Sequence, residues 1–132
     1  MATAASRLLL DTHALLWWLL DDPELPASAR RIIERAEAVY VSAASVWEVA
    51  LKQRLGKLPE LSIGVAELPA LIVESGFIPL PVHDRHAAAV AALPLHHRDP
   101  FDHLLIAQAR MEGLQLVSRD PAFGAYGVAL KW

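Results

Sequence analysis

The sequence contains no cysteine. That excludes a disulfide framework and a thiolate zinc site, and it suits a reducing compartment. A basic surplus is also missing, since the formal net charge is −3. Contact with nucleic acid would therefore have to rest on local patches or on metal ions, not on a global positive field. No apolar run is long enough to span a bilayer. The longest, LLLDTHALLWWLL (8–20), falls short of the about 20 residues required, and Asp11 and His13 interrupt it. The opening MATAASR has no apolar core of signal-peptide length ahead of Asp11, so a soluble, cytoplasmic protein is expected. Internal repeats, low-complexity blocks and linkers are absent too.

What is present is a folding sequence: 55% hydrophobic and 20% charged over 132 residues, read as one domain spanning 1–132. Short apolar runs alternate with helical patterns. RLLLD (7–11), AVYVS (38–42), FIPLPV (77–82), LQLVS (114–118) and VALKW (128–132) read as strands, the third an edge strand because of its two prolines. Helices are expected over 12–20, 27–36, 43–57, 65–76, 83–94 and 99–113, with Pro69 displacing the start of the fourth and Gly113 closing the last. RDPAFGAYG reads as a turn region. This alternation predicts a parallel sheet with helices on both faces, a fold that binds ligands at the carboxyl ends of its strands.

That rule turns the acids into a map. Asp11 ends the first strand and Asp120 follows the fourth. Glu48 lies in the first two turns of the helix leaving AVYVS, and Asp99 and Asp102 open the helix before LQLVS. Strand carboxyl ends and helix amino ends share one rim, so five acids from four segments converge there. Each also has an ordinary explanation: Asp11 and Asp99 can cap helices, Glu48 can pair with Lys52 at i,i+4, and Asp120 before Pro121 can start a turn. Clustered carboxylates repel by roughly 4 kcal/mol per pair at about 4 Å and an effective dielectric near 20. They must raise their pKa values or bind cations, and this reading places no compensating lysine among them. Hard oxygen donors favour magnesium or manganese over zinc, and such ions can activate water against a phosphodiester.

Other residues add less. His83 and His86 read as solvated on a polar helix face, and His96 and His97 sit in a loop without a zinc spacing. Arg30, Arg31 and Arg35 share one helix; Lys52, Arg54 and Lys57 belong to another; Arg98 and Arg119 precede the rim segments. They offer modest support for a nucleic-acid partner. Trp17, Trp18 and Trp47 read as core or partner packing. The helices HALLWWLL and VWEVALKQRL carry more apolar surface than a small domain needs, which suggests a second subunit or partner segment.

Taken in order, LLLDTHALLWWL, VSAASVWEVALK, RDPFDHLLIAQA and LVSRDPAF resemble the four blocks of PIN-domain proteins, closest to VapC-type toxins of toxin–antitoxin pairs. The resemblance runs from Leu8 to about Val128. It implies a three-layer α/β/α sandwich around a central parallel sheet of about five strands. It further implies a Mg2+- or Mn2+-dependent endoribonuclease with Asp11, Glu48, Asp102 and Asp120 as catalytic and metal-holding acids, and Asp99 as a further candidate. An RNA substrate, a cognate antitoxin and a homodimer are implied as well.

Three alternatives differ in recognisable ways. A haloacid-dehalogenase-type phosphotransferase needs a second Asp where this chain has His13. A magnesium-dependent receiver domain needs an acid on the strand that here reads FIPLPV, and a late lysine for which only Lys131 is available. A catalytically inactive PIN-scaffold interaction module would not need all four acids.

Overall fold

The computed structural model describes residues 6–58, 63–96 and 99–132. His97 and Arg98 lie outside these. Five parallel strands, β1 (Arg7–Leu10), β2 (Ala38–Ser42), β3 (Ile78–Leu80), β4 (Gln115–Val117) and β5 (Leu130–Lys131), form one sheet in the order β3-β2-β1-β4-β5. The six α-helices among the described residues are α1 (Thr12–Leu19), α2 (Ala27–Arg35), α3 (Ala43–Arg54), α4 (Leu68–Glu74), α5 (Asp84–Ala89) and α6 (Pro100–Glu112).

Period-two alternation along β1 assigns its leucines to two cores. Leu8 and Leu10 pack with Leu15, Leu16, Ile33, Val41 and Ile72 on one side, while Leu9 packs with Leu105, Ile106, Leu116 and Phe123 on the other. All three leucines are fully buried, as expected of a strand covered on both faces. The result is the expected three-layer α/β/α sandwich. β1 is central, and the chain leaves it toward β2 on one side but returns through β4 on the other. That reversal is the switch point at which open parallel sheets hold ligands.

Several boundaries are tighter than the sequence suggests. The expected helix 65–76 is a 3-10 turn (Val65–Glu67) leading into α4, because Pro69 has no N–H to give and suits only the first turn. The region 83–94 divides likewise into α5 and a 3-10 turn, Val90–Ala92. α3 ends at Arg54, β5 has two residues, and the expected turn after β4 is a 3-10 helix, Pro121–Tyr126. β3 does lie at the edge, where Pro79 costs little pairing. Gly113 closes α6 at φ 67°, a left-handed conformation that favours glycine. Among the described residues no helix is long and apolar enough to cross a membrane.

Candidate active site

Asp11 stands at the switch point. Its backbone N–H donates to the Val117 carbonyl at 3.0 Å, extending the β1–β4 pairing by one step. Its Oδ1 accepts from the Ala14 N–H at 2.8 Å and so caps α1. Asp99 Oδ1 accepts from the N–H groups of Phe101 (2.9 Å) and Asp102 (3.3 Å), capping α6, and Asp120 Oδ1 accepts from Ala122 at 2.9 Å. Three rim acids are therefore helix caps. Capping and clustering are not rival explanations here. Helices that cross back over a parallel sheet start at the carboxyl rim, so their caps collect on it.

Glu48 and Asp102 are not caps. Asp102 sits in the first turn of α6, with Pro100 leading the helix. Glu48 points inward from α3 and is 4% exposed. The Thr12 hydroxyl donates to Glu48 Oε1 at 2.7 Å and shares a 3.0 Å hydrogen bond with Ser45 Oγ, while the Lys52 ammonium donates to Glu48 Oε2. The i,i+4 pair with Lys52 thus exists, but it is buried on the acid side. The expectation that no lysine stands among the acids is corrected: Lys52 offsets Glu48. Burial alone would lower the Lys52 pKa, and the Glu48 contact with the fields of Asp99 and Asp102 more than reverses this.

The electrostatics tie the five acids together. The Asp102 carboxyl is pushed up to about 7, first by burial and then by Asp99, Glu48, Asp11 and Asp120. Burial also raises Asp11, against the opposing pull of a Ser118 hydrogen bond and the Ala14 N–H. Ser118 is fully buried between two acids, since its hydroxyl also accepts from the Asp120 N–H at 3.1 Å. Thr12, Ser45 and Ser118 are polar supports that the sequence reading passed over. Their signal was available: each lies one to three residues from a site acid.

The donor chemistry, hard carboxylate oxygens, fits a magnesium or manganese ion. Among the described residues, however, no group of three or more His, Asp or Glu side chains is gathered into a ready-made metal cage.

Other expectations change. His86 is fully buried, not solvated, and its Nε2 lies 2.8 Å from Glu112 Oε1. Arg31 and Arg35 line a shallow cleft with Ser6, which precedes β1, so they stand apart from the rim at its far end. Arg30 is tied to Asp21 at 3.1 Å. Trp18 packs on Phe77 in the core, whereas Trp47 is 57% exposed.

Comparison with known proteins shows the family and the fold to which the chain is similar. The PIN domain family matches residues 8–128. The chain is 31% identical over 120 residues to Ribonuclease VapC22 of Mycobacterium tuberculosis, covering 87% of this chain and 88% of that protein. It superposes on FitAcB from Neisseria gonorrhoeae with a TM-score of 0.59 and 25% identity over 93% of this chain and 95% of that one. A toxin–antitoxin complex from Klebsiella pneumoniae matches with a TM-score of 0.64 at 17% identity, covering 95% of this chain and 96% of the other.

Proposed function

Because this chain belongs to the PIN-domain family, we propose that it is a metal-dependent endoribonuclease, the toxin of a toxin–antitoxin pair. The observation that carries this reading is Asp102: an acid drawn up to about 7 by burial and four neighbouring carboxylates from three other segments and its own helix. Such a cluster is costly in a bare protein and useful to one that binds a hard cation. The similarity to a ribonuclease, VapC22, supports RNA as the substrate.

Asp11, Glu48, Asp102 and Asp120 would hold the ion, with Asp99 as a further contributor. When bound, magnesium or manganese supplies Lewis acidity, making water a better nucleophile near neutral pH and offsetting charge on a phosphodiester. The chain's own residues prepare that chemistry. Thr12 and Lys52 fix the Glu48 carboxylate, and Ser118 fixes Asp11 relative to Asp120. Asp102 can exchange a proton near neutral pH, so a cation entering the rim would convert it to the charged form.

The test is RNA cleavage by purified protein. Activity should vanish in excess chelator and return with magnesium or manganese, giving 5′-phosphate and 3′-hydroxyl ends. Cleavage undiminished by chelator, or 2′,3′-cyclic phosphate ends, would overturn the reading. One observation favours an inactive scaffold instead: Lys52 already neutralises Glu48 without a metal. No cleavage under any metal would favour that second reading.

A cognate antitoxin and a homodimer complete the proposal. The Klebsiella relative is a toxin–antitoxin complex. Exposed Trp47 and Val73 border an apolar groove of about 530 Å³ between α3, α4 and β3, surface that a partner chain would cover. A monodisperse monomer that ignores the product of the adjacent gene would remove this part of the proposal.

A further inference from the structure

Beside the carboxylates lies a cleft of about 460 Å³ lined by Asp11, His13, Trp17, Arg119, Asp120 and Pro121. Its walls differ in chemistry. One is acidic and belongs to the rim. The other is built of flat π groups: the exposed His13 ring stacks on Trp17 with centroids 5.4 Å apart and planes 24° apart, and the Arg119 guanidinium carbon stands 4.6 Å from the centre of the Trp17 ring. Trp17 is half-buried and braced edge-on by Trp132 at 6.0 Å. Among the described residues Arg119 also forms a 2.6 Å pair with Glu24, the two side chains being 56% and 57% exposed. Exposed pairs of this kind hold a side chain weakly. Local sequence explains the placement. Asp11 and His13 flank the first residue of α1, and Arg119 and Asp120 are adjacent, so the turns that deliver two site acids deliver these groups as well.

We propose that His13, Trp17 and Arg119 form a stacking platform for one unpaired base of the RNA, next to the phosphate that reaches the acids. This rests on the ribonuclease reading and adds the feature that reading lacks. An acidic rim in a chain of net charge −3 repels a polyanion, and the attraction has to come from somewhere local. Rings and guanidinium planes stack on any base, because every base has a π face, and they do so only where that face is not already covered by a neighbour in a duplex. Trp17 serves as the rigid floor. His13 and Arg119, both exposed, present the surfaces a base can reach.

The experiment measures binding of a labelled twelve-nucleotide single-stranded RNA to the Asp102→Asn protein, which should bind without cutting. His13→Ala and Arg119→Lys should each weaken binding about tenfold. His13→Phe should retain it, since the stacking plane survives and the titratable group does not. Arg119→Lys is informative because it keeps the charge and removes the plane. In the wild-type background the same changes should raise KM more than they lower kcat. An abasic nucleotide is then walked through the RNA. At one position it should weaken binding to the parent, and there His13→Ala should cost nothing further, a coupling that mere loss of structure would not produce. If wild-type protein cuts RNA but His13→Ala and Arg119→Lys bind normally, or no abasic position couples to them, the platform is wrong and the nuclease reading stands. If the wild type neither binds nor cuts RNA, both fall.

Discussion

Asp102 and Glu112 lie at opposite ends of α6, and the fold treats their carboxylates in opposite ways. At the amino end, Asp102 faces burial and four acids, and its pKa rises to about 7. At the carboxyl end, hydrogen bonds from His86 and Arg85 pull Glu112 down. The helix dipole would act the other way at both ends, favouring an anion at the start and opposing one at the finish. It is worth about 0.3–1 kcal/mol, and neighbouring side chains override it. The Glu112 end is closed within the chain. His86 Nδ1 accepts from the His83 N–H at 3.0 Å, which leaves the proton on Nε2 to be donated to Glu112 at 2.8 Å, while Arg85 reaches the same oxygen at 2.5 Å. This cluster ties α5 to α6 and leaves its carboxylate well served. At the rim Lys52 offsets Glu48, yet neighbouring acids still push Asp102 upward, and a site that attracts a cation from outside can use that.

Substitution of each carboxylate by its amide should separate the two ends most sharply. If the proposed cation site is right, Asp102→Asn should lower RNA cleavage about a hundredfold or more with the fold intact, by loss of a charge that site would need. Glu112→Gln should leave cleavage within about twofold, the effect of a site remote from chemistry. Equal losses in the two proteins, measured as initial rates, would break the division.

For stability the order reverses. His86→Ala removes the fully buried partner of Glu112 and also leaves the His83 N–H without its acceptor. It should cost about 2–4 kcal/mol in urea unfolding, with little change in cleavage at temperatures where the variant is folded.

The two ends should also respond oppositely to pH. Asp102 binds its proton more tightly folded than unfolded, so the folded state holds more protons between about 4 and 7. Stability therefore falls as pH rises through that window and levels off above it, by about 1–2 kcal/mol once solvent screening of a partly buried group is allowed for. Glu112 is the reverse: its contribution is present above the ordinary Glu pKa and is lost as pH falls through its lowered folded value. Thermal melts across pH in metal-free buffer should show Asp102→Asn gaining on wild type toward pH 7, and the deficit of Glu112→Gln shrinking under acid conditions. Saturating magnesium should narrow the gain of Asp102→Asn.

The smallest effect is expected at Asp99, which has features of both ends: it is a rim acid and a satisfied cap. Asp99→Ala should cost about 0.5–2 kcal/mol, and Asp99→Asn almost nothing, because Asn caps equally well. Loss of cleavage in a stable Asp99→Asn protein would move Asp99 into the site proper.

Much of this molecule could be read along the chain. Strand and helix positions followed from apolar periodicity, the edge position of β3 from its prolines, and the caps at Asp11 and Asp99 from an Asp just ahead of a helical pattern. The convergence of the acids followed from one topological rule applied to those elements. His86 was misread because a helix face is polar or buried only in relation to what packs on it, and α6 covers this one. The pair of Glu48 with Lys52 was visible as i,i+4 spacing, but its burial was not, since that depends on α1 bringing Thr12 against Ser45 and Glu48 of α3.

The sequence by itself determined which segments form strands and most helices, where most of those helices begin, and that carboxylates gather at one end of the sheet. These are consequences of local periodicity, backbone capping and parallel connectivity, all of which act over neighbouring residues or follow from the order of elements. Only the tertiary structure decided the surroundings of these groups: that Asp102 is driven upward while Glu112 is drawn down, that Glu48 is buried in its pair with Lys52, and that Trp17 meets Arg119 across the cleft. Desolvation and Coulomb energy depend on distances between residues far apart in the chain and on the water excluded around them, and neither quantity exists until the elements have packed.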